Sequence, residues 1–441
     1  MVHTGEQNAG SPMRSEWRAG IQQRTRGALL LLCSGVLAGA TACDGGSTGP
    51  GNHADPRIRW VVTVAPGIYY GSPALSADEQ TIYVGTSIGV MGSPATTHSF
   101  KALSASNGAT LWSFPLGARE VRSSPAVALD ASITFVAGDT VFRLTAAGTL
   151  VWRQGIRPDQ VMPVDVGAST PAVAPDGSAY VALGGLYAID PSGAIRWRRF
   201  ESNPEEFRAA PVVGDNGTVV YFAAHNVPLT ALDPSDGHTV WSLPLGVNDH
   251  VLASPALGAD GSIYVATNGC ELYAVSPSGT LRWMFAASSA GFTCEMRSSP
   301  AIGSDGTIYL GTTHGNPASV VFAIRPNGTL KWTFTPTDLP PGVPADHFDI
   351  YSSPAIGSDG TIHVGHEFGR VYALDPATGA ERWRVETRSG ITWSSPALGA
   401  AGWLVISDLQ GNVYSITTDS HGLQAGAPWP RFRRSNQGRG S

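Results

Sequence analysis

Eight short stretches built on Ser-Pro-Ala or an equivalent punctuate the chain, and the residue three before each proline carries most of the recognition chemistry. Those positions are Tyr70, Arg122, Ala168, Arg208, Leu252, Arg297, Tyr351 and Trp393. Arginine falls on the second, fourth and sixth stretches and an aromatic ring on the first, seventh and eighth. A guanidinium fork grips carboxylate or phosphate bidentately, and an aromatic face takes flat or sugar-like surfaces. Tyr70, Arg122, Arg208, Arg297, Tyr351 and Trp393 thus suit an anionic glycan or an acidic peptide, provided the fold brings them together. Glu120, Glu205, Glu206 and Glu295 lie close enough in sequence to absorb the same arginines into ordinary ion pairs.

Other chemistries find less support. His225, His314 and His366 all follow the second strand of their units and His363 lies within one, but the first three belong to different units and none has the i, i+4 spacing of paired zinc ligands. They read as solvated loop histidines. No Gly-x-Ser-x-Gly elbow, Walker motif or His-Glu-x-x-His occurs, so no catalytic residue and no metal ligand is assigned. Repeated Asp-Gly pairs lack the carboxylate density of a calcium loop. No basic run interleaved with aromatics points to nucleic acid.

The elements that must position the rim residues are legible in one unit, Ser352 to Arg384, SSPAIGSDGTIHVGHEFGRVYALDPATGAERWR. Its apolar residues alternate with period two and are broken every five to eight residues by turn dipeptides, which predicts four short strands. Copies align on Pro73, Pro125, Pro171, Pro211, Pro255, Pro300, Pro354 and Pro396, at intervals of 40 to 54 residues. Four strands per unit at such a period predict an all-β fold, an eight-bladed β-propeller with four-stranded antiparallel blades. The Asp-Gly pairs read as two-residue hairpin turns. An outer-strand tryptophan recurs at Trp112, Trp152, Trp197, Trp241, Trp283, Trp332 and Trp383 but is missing from the last unit. Ile58-Arg59-Trp60 matches Ile195-Arg196-Trp197, so residues 58 to 63 are expected to complete the last blade and close the ring without a free edge. Each Ser-Pro-Ala opens an innermost strand, which places the rim residues at the channel mouth, on the face carrying the connections between blades.

The units, above all ALDPATGAERW (Ala373 to Trp383) and ALDPSDGHTVW (Ala231 to Trp241), resemble the repeat of pyrroloquinoline-quinone-type (PQQ-type, quinoprotein alcohol dehydrogenase-like) propellers. The resemblance runs from Ile58 to Ile416. That superfamily holds both quinoprotein dehydrogenases and non-enzymatic BamB-like envelope lipoproteins, and one scaffold hosts either class. The enzymatic alternative implies PQQ and calcium in the central funnel with an aspartate base. This chain departs from that pattern: it has no adjacent Cys-Cys pair, is much shorter, and has no Cys-x-x-Cys-His for a haem. The expected role is therefore a binding or scaffold protein without a cofactor, meeting an envelope protein or an anionic glycan or peptide at the long-loop face.

Composition and the N-terminus agree with export. Of 441 residues only 14% are charged, the net charge is −6, and 53 glycines and 32 prolines supply many tight turns. Arg14, Arg18, Arg24 and Arg26 precede an apolar run from Gly27 to Ala42 that is shorter than the ~20 residues needed to span a bilayer, so residues 1–42 read as a signal peptide, with Met1 or Met13 as its start. Ala40-Thr41-Ala42-Cys43 followed by a Gly-rich tract resembles a bacterial lipobox with its tether, residues 43–57, although it also suits ordinary signal peptidase. Lipidation at Cys43 would hold the protein to the membrane, facing periplasm or cell surface. Cys270 and Cys294 fall in loops on one face of the fifth unit, and a disulfide between them is favoured over two free thiols. The propeller is assigned to residues 58–418. The tail, residues 419–441, is expected to pack Trp429 and Phe432 near the closure while its four arginines solvate it.

Overall fold

The computed structural model describes residues 55–440 except 65–66, 69–70, 88–96, 157–168, 200–208, 215–216, 225–226, 247–249 and 338–348. The signal segment, Cys43, the tether and most of the proline-rich insertion after Thr335 lie outside the described residues. What remains is eight four-stranded antiparallel sheets, one per unit. Blade 7 is representative, with Ala355–Ile356 innermost, followed by Ile362–His366, Arg370–Leu374 and Glu381–Glu386. The second and third strands are buried nearly throughout, because neighbouring blades cover both faces, whereas the outermost strand alternates between exposed and covered residues.

The ring closes as the tryptophan register predicts. Ile58–Thr63 pairs antiparallel with Asn412–Thr417 and forms the outer strand of blade 8, beside Ala397–Gly399 and Trp403–Ser407. Seven tryptophans, Trp60 through Trp332, donate the indole N–H to a backbone carbonyl in the turn before the next blade's outer strand, at 2.8–3.2 Å. Gly279 shows why that turn carries glycine: at φ +83° it lies so close beneath the Trp241 ring that a Cβ would fall 2.6 Å from it.

The serine of Ser-Pro-Ala also has a structural purpose. Its hydroxyl accepts the backbone N–H of the equivalent residue in the preceding blade, giving Ser72 to Ser124, Ser124 to Thr170, Ser254 to Ser299, Ser299 to Ser353, Ser353 to Ser395 and Ser395 to Ser72 at 2.8–3.2 Å. This belt girdles the channel below its mouth. Blade 4 carries Ala210 at the position, so Thr170 finds no hydroxyl there, although the Ala210 N–H still reaches Ser254.

Three expectations need correction. The Asp-Gly turns are three-residue turns: Gly177 alone takes positive φ, Asp176 caps the Ser178 N–H, and Ala174 bonds both Gly177 and Ser178. Trp429 does not sit at the closure, because its carbonyl takes the Ile302 N–H of blade 6 and its ring lies in the core shared by blades 5 and 6. The tail arginines do not merely solvate it. Arg431 and Arg433 are each 1% exposed, and the Arg433 guanidinium donates to the carbonyls of Pro211 (2.6 Å) and Pro171 (2.7 Å). Burial pushes both guanidiniums down to about 9, so they remain charged at neutral pH.

The tail thereby crosses the channel on the face of the first hairpin turns. Its carbonyls accept the inward N–H groups of Ile302, Ile356, Leu75, Val127, Val173 and Val213 at 2.7–3.0 Å, and the Asn436 side chain accepts that of Leu398 at 3.1 Å. Asn436 also accepts the Leu75 N–H on its own carbonyl, so one residue clasps blade 8 to blade 1.

Candidate functional site at the channel mouth

Blade 6 carries an extra ribbon, Thr293–Glu295 paired with Thr313–Asn316, which builds out the channel mouth. Cys270, at the hairpin tip of blade 5, is bonded to Cys294 of this ribbon with Cα atoms 5.1 Å apart. The bridge ties the ribbon to the ring, as the even cysteine count led one to expect.

From that ribbon a polar network extends into the mouth. Arg297 is 7% exposed and places its guanidinium 2.5 Å from Glu295. His314, held at φ +51°, sets Nδ1 3.4 Å from the same carboxylate and Nε2 3.9 Å from Asp349, while its backbone N–H donates to Asp349 at 2.6 Å. Tyr351 donates its hydroxyl to Asp349 at 2.9 Å, and its ring packs on Trp393 with centroids 4.8 Å apart. Burial pushes the Glu295 carboxyl up, but the His314 hydrogen bond and the Arg297 charge more than offset it, so the group stays below its ordinary value. Burial and then the Asp349 charge drive the Tyr351 phenol far up, which keeps it a neutral donor.

Of the six predicted rim residues, Arg297, Tyr351 and Trp393 come together in one corner spanning blades 6, 7 and 8. Arg122 lies apart, at blade 2, 3.6 Å from Glu120. Burial depresses the imidazole of His98 there, against the pull of the Glu120 charge. Tyr70 and Arg208 lie outside the described residues. Both described arginines are therefore ion-paired with a glutamate two residues earlier. In extended chain that spacing puts two side chains on one side, and Glu120/Arg122, Glu295/Arg297 and Asp349/Tyr351 all share it. That pattern is the sequence signal that marks Asp349, a residue not among those expected at the rim.

The histidines are not solvated as a set. His363 and His366 are fully buried, because the second strand of a blade is covered on both faces. His363 Nε2 meets the Thr418 hydroxyl at 2.8 Å, and burial lowers the imidazole to about 4. His366 accepts the Phe368 N–H at 3.2 Å. His225 lies outside the described residues.

Among the described residues, the acidic and imidazole side chains close enough together to share one cation are Asp233, Asp236 and His238, in an exposed turn leading to the outer strand of blade 4. At the mouth, Glu295 and Asp349 are committed to Arg297, His314 and Tyr351. The corner thus sets an aromatic pair beside a partly buried ion pair.

Comparison with known proteins bears on this geometry. A family model described as outer membrane protein assembly factor BamB matches residues 139–363 and 317–419. Among solved structures, BamB from Moraxella catarrhalis superposes with a TM-score of 0.61 at 15% identity, covering 81% of this chain and 98% of that one. Sqt1 of Saccharomyces cerevisiae superposes with a TM-score of 0.62 at 10% identity over 82% of this chain and 99% of its own. At these identities the superpositions speak for the fold alone. A curated relative, the serine/threonine-protein kinase AfsK of Streptomyces griseus, is 29% identical over 209 residues, which is 46% of this chain and 18% of the kinase. The chain thus spans about a fifth of that relative's length.

Proposed function

The chain belongs to the family of the outer membrane protein assembly factor BamB, and from that membership we propose that it is a binding or scaffold protein of the bacterial cell envelope. Export by the N-terminal segment and lipid anchoring at Cys43 are part of this reading, supported by the charged, apolar and lipobox-like order of residues 14–43. The partner is an envelope protein presenting an acidic segment to the mouth. The observation that carries the reading is the Arg297–Tyr351–Trp393 corner, set at the end of the channel opposite the tail. A partner carboxylate exchanges with Glu295 on Arg297 while an apolar or planar group packs on Trp393. Because Arg297 is nine-tenths buried, such an exchange is worth more than a surface ion pair.

The test compares wild type, Trp393→Ala and the triple variant Arg122→Gln, Arg208→Gln, Arg297→Gln, each checked for folding by its melting curve. Photo-crosslinking from a probe at the mouth in intact cells should yield a defined adduct in wild type that both variants lose. An undiminished adduct in a folded triple variant rules the arginines out. Cys43→Ser should shift the protein from the membrane to the soluble fraction, and retention would remove the anchor from the reading.

A further inference from the structure

On the opposite face, the described residues of the tail, up to Gly440, leave one position of the channel unserved. Seven innermost strands give an inward N–H to the tail, and blade 5 is the exception. Its equivalent donor is Leu257: the neighbouring Gly258 N–H turns back to Ser262, so the Leu257 N–H points the other way, toward the axis. No described residue accepts it. Leu257 instead borders a cavity of about 340 Å³ whose apolar walls include Leu129, Val173 and Val213. Into the same cavity the tail presents Arg434 and Ser435. The Ser435 hydroxyl is buried without a partner, and among the described residues none pairs with the Arg434 guanidinium. Arg439, also on the wall, donates its Nε–H to the Val127 carbonyl.

Among the described residues, three donors without a partner thus border one cavity, and its described lining contains no carboxylate. The field reinforces them. Arg431 and Arg433 lie buried in the same tail, compensated by carbonyls rather than by a charge, and burying guanidinium in that way is costly. An anion entering beside them recovers part of that cost. The apolar walls select an anion with a body, and the volume lies at the small end of ligand cavities.

We propose that this cavity is a binding site for a small organic carboxylate, seated with its oxygens on the Leu257 N–H, the Ser435 hydroxyl and the Arg434 guanidinium. The site is independent of the channel mouth, so either can fail alone.

Saturation-transfer NMR and calorimetry with hexanoate, 1-hexanol and inorganic phosphate test it on the whole protein. Hexanoate should bind saturably, while 1-hexanol and phosphate should not bind at the same concentrations. Arg434→Gln should weaken hexanoate by about tenfold or more, as loss of a charge-assisted contact does, and Ser435→Ala by a smaller factor. Arg434 is exposed, so its variant should keep the wild-type melting temperature and the loss cannot be ascribed to unfolding. Equal binding of 1-hexanol, binding of phosphate alone, or an unchanged affinity in Arg434→Gln overturns the proposal. So does binding that appears only in a variant lacking Ser441, which would assign the place to the chain's own residue 441.

Discussion

Seven interfaces of the ring are built alike, with a tryptophan docked into the turn of the next blade, whereas between blades 7 and 8 Trp383 meets no such turn. The reason is chain economy. The third and fourth strands of blade 8 come from opposite ends of the sequence, so no turn joins them and no turn carbonyl awaits the indole. Arg57 lies over the Trp383 ring at 4.7 Å instead, and His363 packs edge-on against it at 5.5 Å and bonds Thr418. The repeated interfaces depend on one large contact, while the seam is held by several small polar ones.

The largest test of that contrast is in the tryptophans. Trp241→Ala and Trp60→Ala each remove a packed ring and a hydrogen bond and should cost about 3–5 kcal/mol in urea unfolding. Trp383→Ala loses packing and a cation–π contact with no indole acceptor at stake and should cost roughly half as much. Equal losses at all three would erase the distinction. A negligible loss for Trp60→Ala would refute closure by residues 58–63.

Acid should find the seam. Burial lowers His363 to about 4, so between pH 6.5 and 4 the unfolded chain holds the proton that the folded one refuses. Stability is therefore undiminished above pH 7 and falls as pH drops through that window, by up to about 3 kcal/mol. Glu295, whose pKa is lowered on folding, contributes stability above its unfolded value that is lost only at lower pH still. His363→Gln should flatten the slope of the melting temperature between pH 6.5 and 4.5, and an unaltered slope would assign it elsewhere. Hydrogen exchange at pH 5 should rise first in Ile58–Thr63.

A smaller effect is expected at the clasp. Asn436→Ala leaves the Leu398 N–H and carbonyl without their side-chain partner in a buried setting, at about 2 kcal/mol. Because Asn436 serves blades 8 and 1 together, limited proteolysis of the variant should cut near the blade 8–blade 1 junction before it cuts within blades 3 to 5. Uniform cutting would show that the tail binds the ring without favouring its junction.

What was legible in the sequence follows from these contrasts. Repetition betrays any feature used eight times: the Ser-Pro-Ala strands, the tryptophans, and the copy at Trp60 that located the closure. Features used once were opaque. Nothing local distinguishes Arg433, braced on Pro171 and Pro211 more than two hundred residues away, from an arginine that solvates a tail. Period two could not reveal His363 and His366 as buried, because inner strands have no solvent face against which alternation would show. At the mouth, the rim residues were located by their offset from proline, but their engagement was not. Ion pairing at i, i+2 decides that, and it converts a row of guanidinium forks into closed pairs.

The least effect, and the only gain, belongs to the hydroxyl belt. Blade 4 replaces the serine before proline by Ala210, so the chain of N–H to hydroxyl bonds that runs from Ser254 round to Thr170 breaks between blades 3 and 4. The Thr170 N–H there lacks the acceptor that its counterparts have, while the backbone at Ala210 already has the geometry of a donor to Ser254. Ala210→Ser supplies the missing oxygen at a position where seven other blades carry serine or threonine, so the backbone needs no rearrangement. The new bond should contribute about 1 kcal/mol, partly offset by the fixing of one rotor, and should raise the urea midpoint without changing the m-value. Hydrogen exchange should slow specifically at Thr170. A stabilisation without protection at Thr170 would mean that the serine acts through the unfolded chain, and a loss of stability would mean that blade 4 has repacked around the alanine and no longer has room for the hydroxyl.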